Sequence, residues 1–255
     1  MIAFLSDIHS NIEALSICLA EVDRLGVDRL VCLGDVIGYG PQPREALQTI
    51  IDRAEFTILG NHEHGAMFYA SDFNPRARAA IDWTRDQLSR KDSPREENMR
   101  FWNYLDGMKK EHREAGMLFV HGSPRDPVRE YLVPRDAADR DKMGGCFEKM
   151  ADAQLCFVGH SHVPGVYLES GKFLLPADIG MKWPVSERAI VNIGSVGQPR
   201  DGDRRSSFVT YDGTDGTDGT IHFHRLEYDV ETTMQKIRAI PELPDYLADR
   251  LAQGR

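Results

Sequence analysis

Five apolar runs each stop abruptly at a polar motif, and this recurring edge restricts the chain more than any other feature. Residues 1–5 lead into Ser6-Asp7-x-His9-x-Asn11, residues 30–33 into Gly34-Asp35, and residues 56–59 into Gly60-Asn61-His62-Glu63. Residues 117–120 lead into His121-Gly122, and residues 155–158 into Gly159-His160-Ser161-His162. Short unbroken apolar runs are the pattern of strands buried on both faces. Helical patterns separate the first three: Ser10 and Glu13 have capping-box spacing, Ile12, Leu15, Leu19 and Val22 follow at helical spacing, and Gly26 closes the segment. After a Gly/Pro-rich turn, a second helix carries Leu47, Ile50 and Ile51. Strands alternating with helices imply parallel βαβ units with right-handed crossovers. In an open sheet of this kind, residues just past the carboxyl ends of the strands converge on one crevice.

The remainder divides in two. Between about residues 66 and 115 the pattern turns helical, with Ile81 and Leu88 on one helix and a second one starting at Ser93-Pro94-x-Glu96 and bearing Met99, Trp102 and Leu105. We read this as a cap-like helical insertion. Further strands are expected at 189–193, 208–211 and 221–226, so the second half reads as strand-rich and as the source of a second sheet. The tandem Asp212-Gly-Thr, Asp215-Gly-Thr and Asp218-Gly-Thr lacks EF-hand spacing and is expected to be a flexible hairpin loop. A last helix is expected near Val230 to Ile240, followed by a polar tail. At 255 residues, one α/β domain with insertions is the expected organisation.

A formal charge of −9 argues against a general polyanion-binding surface, because nonspecific nucleic-acid affinity comes from Lys and Arg on phosphates. Any bound phosphate therefore needs local positive charge, which divalent metals supply. Cys18, Cys32, Cys146 and Cys156 form no Cys-x-x-Cys pair and read as reduced core residues. The N-terminal segment has no basic leader, and no stretch approaches the roughly 18 apolar residues of a membrane span. The expectation is a cytoplasmic protein without a membrane partner.

The residues gathered at the five strand ends are chemically narrow: Asp7, Asp35, Asn61, His9, His121, His160 and His162, with His62 beside them. Imidazole and carboxylate together suit Mn, Fe, Zn, Co or Ni rather than Ca, and the set is too large for one ion. Two metals share it more naturally, with a bridging aspartate holding them roughly 3.5–4 Å apart, as in-line displacement at phosphorus uses.

This ordered set resembles the calcineurin-like metallophosphoesterases over Met1 to about Arg200. The resemblance implies a four-layer α-β-β-α sandwich of two mixed sheets, with a dinuclear site at one edge. It implies that Asp7, His9 and His162 bind the first metal, that Asn61, His121 and His160 bind the second, and that Asp35 bridges them. Mn is the expected ion, with Fe, Zn, Ni and Co also compatible. His62 resembles the family's residue that contacts the phosphoryl group and assists the leaving oxygen as a general acid, with Glu63 orienting it. The nucleophile implied is the bridging hydroxide, whose pKa the cations lower.

The departures from the family's protein phosphatases narrow the substrate. Those enzymes continue Gly-Asp into Asp-Arg-Gly and carry an Arg beside the Asn-His motif, whereas here Asp35 runs on as Val-Ile-Gly-Tyr39-Gly-Pro. That turn, with Asn192-x-Gly194-Ser195-Val-Gly197-Gln-Pro199-Arg200, resembles the small bacterial and archaeal phosphodiesterase branch. A small or nucleotide-type phosphodiester is the expected substrate, with a monoester or a dinucleoside polyphosphate as alternatives and a non-catalytic scaffold as the reading of another class. Three residues are candidates for substrate contact: Arg200 with the Gly-rich turn facing a phosphate, Asn11 touching substrate or capping its helix, and Tyr39 stacking on a base or simply packing.

Overall fold

A computed structural model describes residues 1–68, 70 and 73–255; residues 69, 71 and 72, inside the expected insertion, lie outside the described residues. The first sheet is built on three parallel strands, β1 (Ile2–Leu5), β2 (Arg29–Cys32) and β3 (Phe56–Thr57), which alternate with helices α1 (Ile12–Leu25) and α2 (Pro43–Arg53). Asn11 caps α1 by accepting from the Ala14 amide, and Gly26 ends it in the left-handed conformation. Helices α3 (Asn61–Met67), α4 (Pro75–Leu88) and α5 (Arg95–Asp106) follow. The chain then enters the second sheet through β4 (Glu111–Glu114), β5 (Met117–Val120), β6 (Leu155–Val158), β7 (Gly165–Leu168) and β8 (Phe173–Leu174), with α6 (Arg140–Met150) between β5 and β6. It returns through β9 (Lys182–Pro184) to the first sheet, β10 (Ala189–Asn192) to the second, and β11 (Ser206–Tyr211) and β12 (Thr220–Leu226) to the first, then ends in α7 (Val230–Arg238) and α8 (Tyr246–Gln253).

The result is two mixed six-stranded sheets, in the orders β3-β2-β1-β11-β12-β9 and β4-β5-β6-β10-β7-β8. Both faces of each central strand are buried, which is why the apolar runs are continuous. Ile2, Phe4, Val31 and Leu33 point between the sheets, toward Phe119, Phe157 and Val191, while Ala3, Leu5, Leu30 and Cys32 point at the helices. Leu118, Val120, Cys156 and Val158 pack on Met143, Phe147 and Met150 of α6. The layers are thus helix, sheet, sheet, helix. An aromatic stack joins the two sheets, with Phe4 centred 4.1 Å from Phe157 and 5.6 Å from Phe119.

The strand-rich half that follows α5 supplies all six strands of the second sheet, as expected, but β9, β11 and β12 join the first sheet instead. Phe4 pairs with Val209 and Ile2 with Tyr211, antiparallel, so the β11–β12 hairpin completes the first sheet beside β1. Apolar alternation shows which residues of a strand are buried but not which neighbour it pairs with, which is why the strands expected at 208–211 and 221–226 could not be assigned to the first sheet from the sequence. The Asp-Gly-Thr repeat joins β11 to β12 and is tied down: Asp218 accepts from the Thr214 amide at 2.9 Å, and Tyr211 Oη donates to the Asp218 carbonyl at 3.0 Å. The polar tail contains α8, whose Leu247, Ala248 and Leu251 enter the core shared with α1 and α2. Among the described residues, no helix is long and apolar enough to cross a membrane.

All four cysteines are buried and free. Burial pushes the Cys18 thiol up to about 12 and the Cys146 thiol up to about 11, so neither supplies a thiolate at neutral pH. Native protein should therefore leave a colorimetric disulfide reagent essentially unreacted over minutes and give four thiols per chain in denaturant; rapid native labelling would contradict this packing.

Candidate metal centre

The carboxyl ends of the parallel strands lie together along one edge of the sandwich. From the first sheet come Asp7 and His9 after β1, Asp35 after β2, and Asn61 after β3; the second sheet supplies His121 after β5, and His160 and His162 after β6. The turns that carry them are tight. Asp7, His9, Ser10, Asp35, Tyr39, His160 and His162 all have positive φ, an unfavourable conformation for residues with a Cβ and one that clusters at functional sites. The turns also need close approach. A Cβ on Gly60 would lie 2.2 Å from Asp35 Oδ1, and one on Gly38 would lie 2.1 Å from His62 Nδ1.

The loops hold one another. The Asp7 amide donates to the Gly34 carbonyl and the His9 amide to the Asp35 carbonyl, both at 3.0 Å. Asp7 Oδ2 accepts from the His160 amide and Asp35 Oδ1 from the His62 amide, both at 2.9 Å. Glu63 accepts from the amides of Asp35, Ile37 and Gly60. Burial, reinforced by the Asp35 charge, nevertheless raises its carboxyl to about 7. These bonds tie Glu63 to the Asp35 turn rather than to His62, whose Nδ1 is buried without a hydrogen-bond partner. The expectation that Glu63 orients His62 is replaced by this positioning of the Asp35 loop.

The histidines are oriented from behind. His9 Nδ1 faces the Ile37 carbonyl at 3.3 Å, His121 Nδ1 that of Leu33 at 2.8 Å, His160 Nε2 that of Arg129 at 3.0 Å, and His162 Nδ1 that of Gln198. A carbonyl only accepts, so each outer nitrogen carries the hydrogen, and the inner one of a neutral ring presents a lone pair. Those inner nitrogens meet: His9 Nε2 and His162 Nε2 lie 3.2 Å apart, and His121 Nε2 and His160 Nδ1 lie 3.1 Å apart. Asn61 Oδ1 lies 3.1 Å and Asp35 Oδ2 3.3 Å from His121 Nε2. Asp7 Oδ1 is buried without a donor, 3.0 Å from His162 Nε2 and 3.8 Å from His9 Nε2.

Lone pairs facing lone pairs at this distance repel unless a positive charge lies among them, so the donor set fits divalent cations. A proton answers the same demand at one point. Burial opposes protonation of His121, but the Asp35 carboxylate outweighs it and lifts the ring to about 9. His160 stays neutral, pushed down to about 3 by burial and then by His121. Two triads stand out, Asp7/His9/His162 and Asp35/His121/His160, with His62 able to join His9 and Asp35 in a third. Asp35 Oδ2 lies 3.3 Å from His121 Nε2 and 3.8 Å from His9 Nε2, between the two main groups.

The candidate substrate residues fare differently. Asn11 is buried, with Oδ1 accepting from the Ala14 amide and the Thr233 hydroxyl and Nδ2 donating to the Gly197 carbonyl, so capping and loop bracing occupy its amide. Tyr39 packs 4.7 Å from His9 and 4.3 Å from His62 between ring centres, while still lining the open groove over the cluster. Arg200 donates from Nη2 to Gln198 Oε1 at 2.8 Å and places its guanidinium 5.9 Å from the Tyr39 ring centre. Tyr131 was missed by sequence reasoning: it stacks on His160 at 3.7 Å from a loop with no recognisable motif.

A cluster of buried imidazoles and carboxylates on the shared edge of two packed mixed sheets is suited by its chemistry to divalent metals and to anionic oxygen ligands. The sequence model of the calcineurin-like phosphoesterase superfamily domain matches residues 1–216. The chain belongs to this superfamily, whose metallophosphoesterases use divalent metals. Its fold is similar to the crystal structure of a metallophosphoesterase from Sphaerobacter thermophilus, with 34% identity, a TM-score of 0.80, and coverage of 100% of this chain and 98% of that one. A hypothetical protein from Pyrococcus horikoshii shares the fold at 17% identity and a TM-score of 0.76, over 100% and 99% of the two chains. An uncharacterized protein of Methanocaldococcus jannaschii is 35% identical over 259 residues, covering 100% of this chain and 98% of its own.

If cations relieve the lone-pair contacts, adding Mn to chelator-stripped protein should raise Tm by about 5–10 °C, the shift corresponding to about 2.7 kcal/mol at a hundredfold excess over Kd. Metal analysis should find two ions per chain, and fewer than one in Asp35→Asn. An unchanged Tm in the unsubstituted protein would count against the cluster as a metal centre.

Proposed function

We propose that this chain hydrolyses a small or nucleotide-type phosphodiester at a pair of divalent cations, with Mn the ion to test first. The observation that carries this reading is the central position of the Asp35 carboxylate, between a triad drawn mainly from β1 and β6 and another drawn from β2, β5 and β6. Asp7, His9 and His162 would hold one cation, and Asn61, His121 and His160 the other, with Asp35 shared. Bound there, the cations would supply positive charge for phosphoryl oxygens and lower the pKa of a water.

The chain's own groups supply the rest. The Leu33, Ile37, Arg129 and Gln198 carbonyls keep the rings aimed, and Glu63 holds the Asp35 turn through three amides. His62 places Nε2 4.0 Å from Asp35 Oδ2, beside the central carboxylate. Burial pushes its pKa down to about 4. The negative charge of an arriving phosphate ester opposes that effect and favours the protonated ring, the form that hands a proton to a leaving oxygen. The open groove of about 180 Å³ alongside is lined by Tyr39, Phe73, Tyr131 and Arg129, with room for an ester's second substituent. The missing Arg beside Asn61-His62 supports a diester over a phosphoprotein, because the usual clamp for a doubly charged monoester is absent there.

Mn-loaded protein should turn over bis(p-nitrophenyl) phosphate faster than p-nitrophenyl phosphate; the reverse order would favour a monoesterase, and turnover of neither would defeat catalysis. His62→Ala should keep its two ions while kcat falls about 10²–10⁴-fold, the usual worth of a proton-transferring side chain. Full activity in that variant would remove His62 from the mechanism.

A further inference from the structure

Tyr131 is an aromatic residue that the core does not use. Among the described residues it belongs to none of the three apolar clusters and is 46% exposed, whereas the adjacent Leu132 is buried with Met143 and Phe147 of α6. One described ring meets it, that of His160, with centres 3.7 Å apart and planes 25° apart. His160 therefore covers one face of Tyr131. The rest of the ring is left to the open groove of about 180 Å³ beside the candidate metal centre, whose walls also include Tyr39 and Phe73.

A single exposed aromatic is common on protein surfaces, but the backbone carrying this one is held on both sides. The Arg129 carbonyl accepts from His160 Nε2 at 3.0 Å, and the Tyr131 carbonyl accepts from Lys142 Nζ at 2.7 Å. Lys142 is itself paired with Asp136 at 2.7 Å. Between these points the Glu130 carboxylate accepts from Arg125 Nη2 at 2.9 Å and from the Ser123 hydroxyl. With the loop fixed and one face already stacked, the ring has little freedom left to lose when a second flat group lies against it.

The surroundings narrow what that flat group is. Phe73 and Tyr39 stand nearly perpendicular to His62, with ring centres 5.2 Å and 4.3 Å from it, so the groove reaches the residue assigned to the leaving oxygen. Its rim is polar, with His64, Asn74 and Arg129. A nucleobase has a π face for the walls and a hydrogen-bonding edge for the rim; an alkyl chain offers the rim nothing.

We propose that Tyr131 is a specificity-determining residue that stacks a nucleobase of the substrate in this groove, with Phe73 and Tyr39 as the other aromatic walls. This rests on the phosphodiesterase reading and narrows it from any small phosphodiester to one that carries a nucleoside. The scissile phosphate is left to the cations and His62, so the contribution of Tyr131 is to binding.

Two anions that differ only by the base provide the test: adenosine 5′-phosphate and ribose 5-phosphate, titrated calorimetrically into Mn-loaded protein. Adenosine 5′-phosphate should bind about tenfold tighter, near the lower end of what stacking one base contributes. Tyr131→Leu should bring that ratio toward one, whereas Tyr131→Phe and Tyr131→Trp should keep it. The Trp variant adds a direct readout, because its added fluorescence should be quenched by adenosine 5′-phosphate and not by ribose 5-phosphate. A purely structural role for Tyr131 would give no such difference. Phe73→Leu should also lower the ratio and serves as the second variant if Tyr131→Leu fails to fold. A ratio within about twofold of one in the unsubstituted protein, no binding of adenosine 5′-phosphate, or a ratio that the folded Leu variants leave intact overturns the subsite. The two readings fail separately. Turnover of bis(p-nitrophenyl) phosphate with a ratio near one keeps the esterase and removes the base. A tenfold ratio that is lost in Tyr131→Leu, in protein that cleaves no ester, keeps the base subsite and removes catalysis.

Discussion

The arrangement of this molecule depends on hydrogen bonds behind the histidines. Backbone carbonyls of Leu33, Ile37, Arg129 and Gln198 accept hydrogen bonds from the outer side of four rings, which turns the four inner nitrogens and two carboxylates toward one another. Such a cluster, buried in a low-dielectric edge, is unfavourable without positive charge, and the protein is built to maintain it. Seven residues in left-handed backbone conformations and two glycines pressed against side chains are tolerated because neighbouring loops brace one another.

The two sheets divide the work. Asp7, His9, Asp35 and Asn61 come from the first, and His121, His160 and His162 from the second. No triad that includes His121, His160 or His162 exists until the sheets pack. The spacing between them is set by the apolar layer in which Phe4 stacks on Phe157 and Phe119. Global stability and the spacing of the candidate ligands are therefore linked through the same core. The C-terminal helix adds a third contributor: α8 buries Leu247 and Leu251 against the loops of Tyr39 and Gln198.

Much of this was legible in the chain because burial on both faces leaves an unmistakable pattern. Continuous apolar runs marked β1, β2, β5 and β6, and the polar residues directly after them are those found together. The expected third strand at 56–59 is shorter, Phe56–Thr57, with Ile58 in an isolated bridge to Lys109. Other features left no local trace. Strand β4 reads Glu111-His-Arg-Glu, paired only at its β5 side and largely exposed, so nothing apolar announced it. Helix α6 carries Gly144 and Gly145, which weaken a helical pattern, and forms because Met143, Phe147 and Met150 bury against β5 and β6.

By itself, the sequence determined the alternation of strands and helices, the residue types at the strand ends and the chemistry those types permit, because these follow from burial and turn preference over a few residues. Tertiary structure alone decided that the β11–β12 hairpin joins the first sheet, that Glu63 serves the Asp35 turn, that Asn11 is occupied as a cap, and that Tyr131 stands beside the cluster. Each of these depends on contacts between residues far apart in the chain. Local preference carries no information about such contacts, since many pairings bury the same apolar surface and only the packed whole selects one.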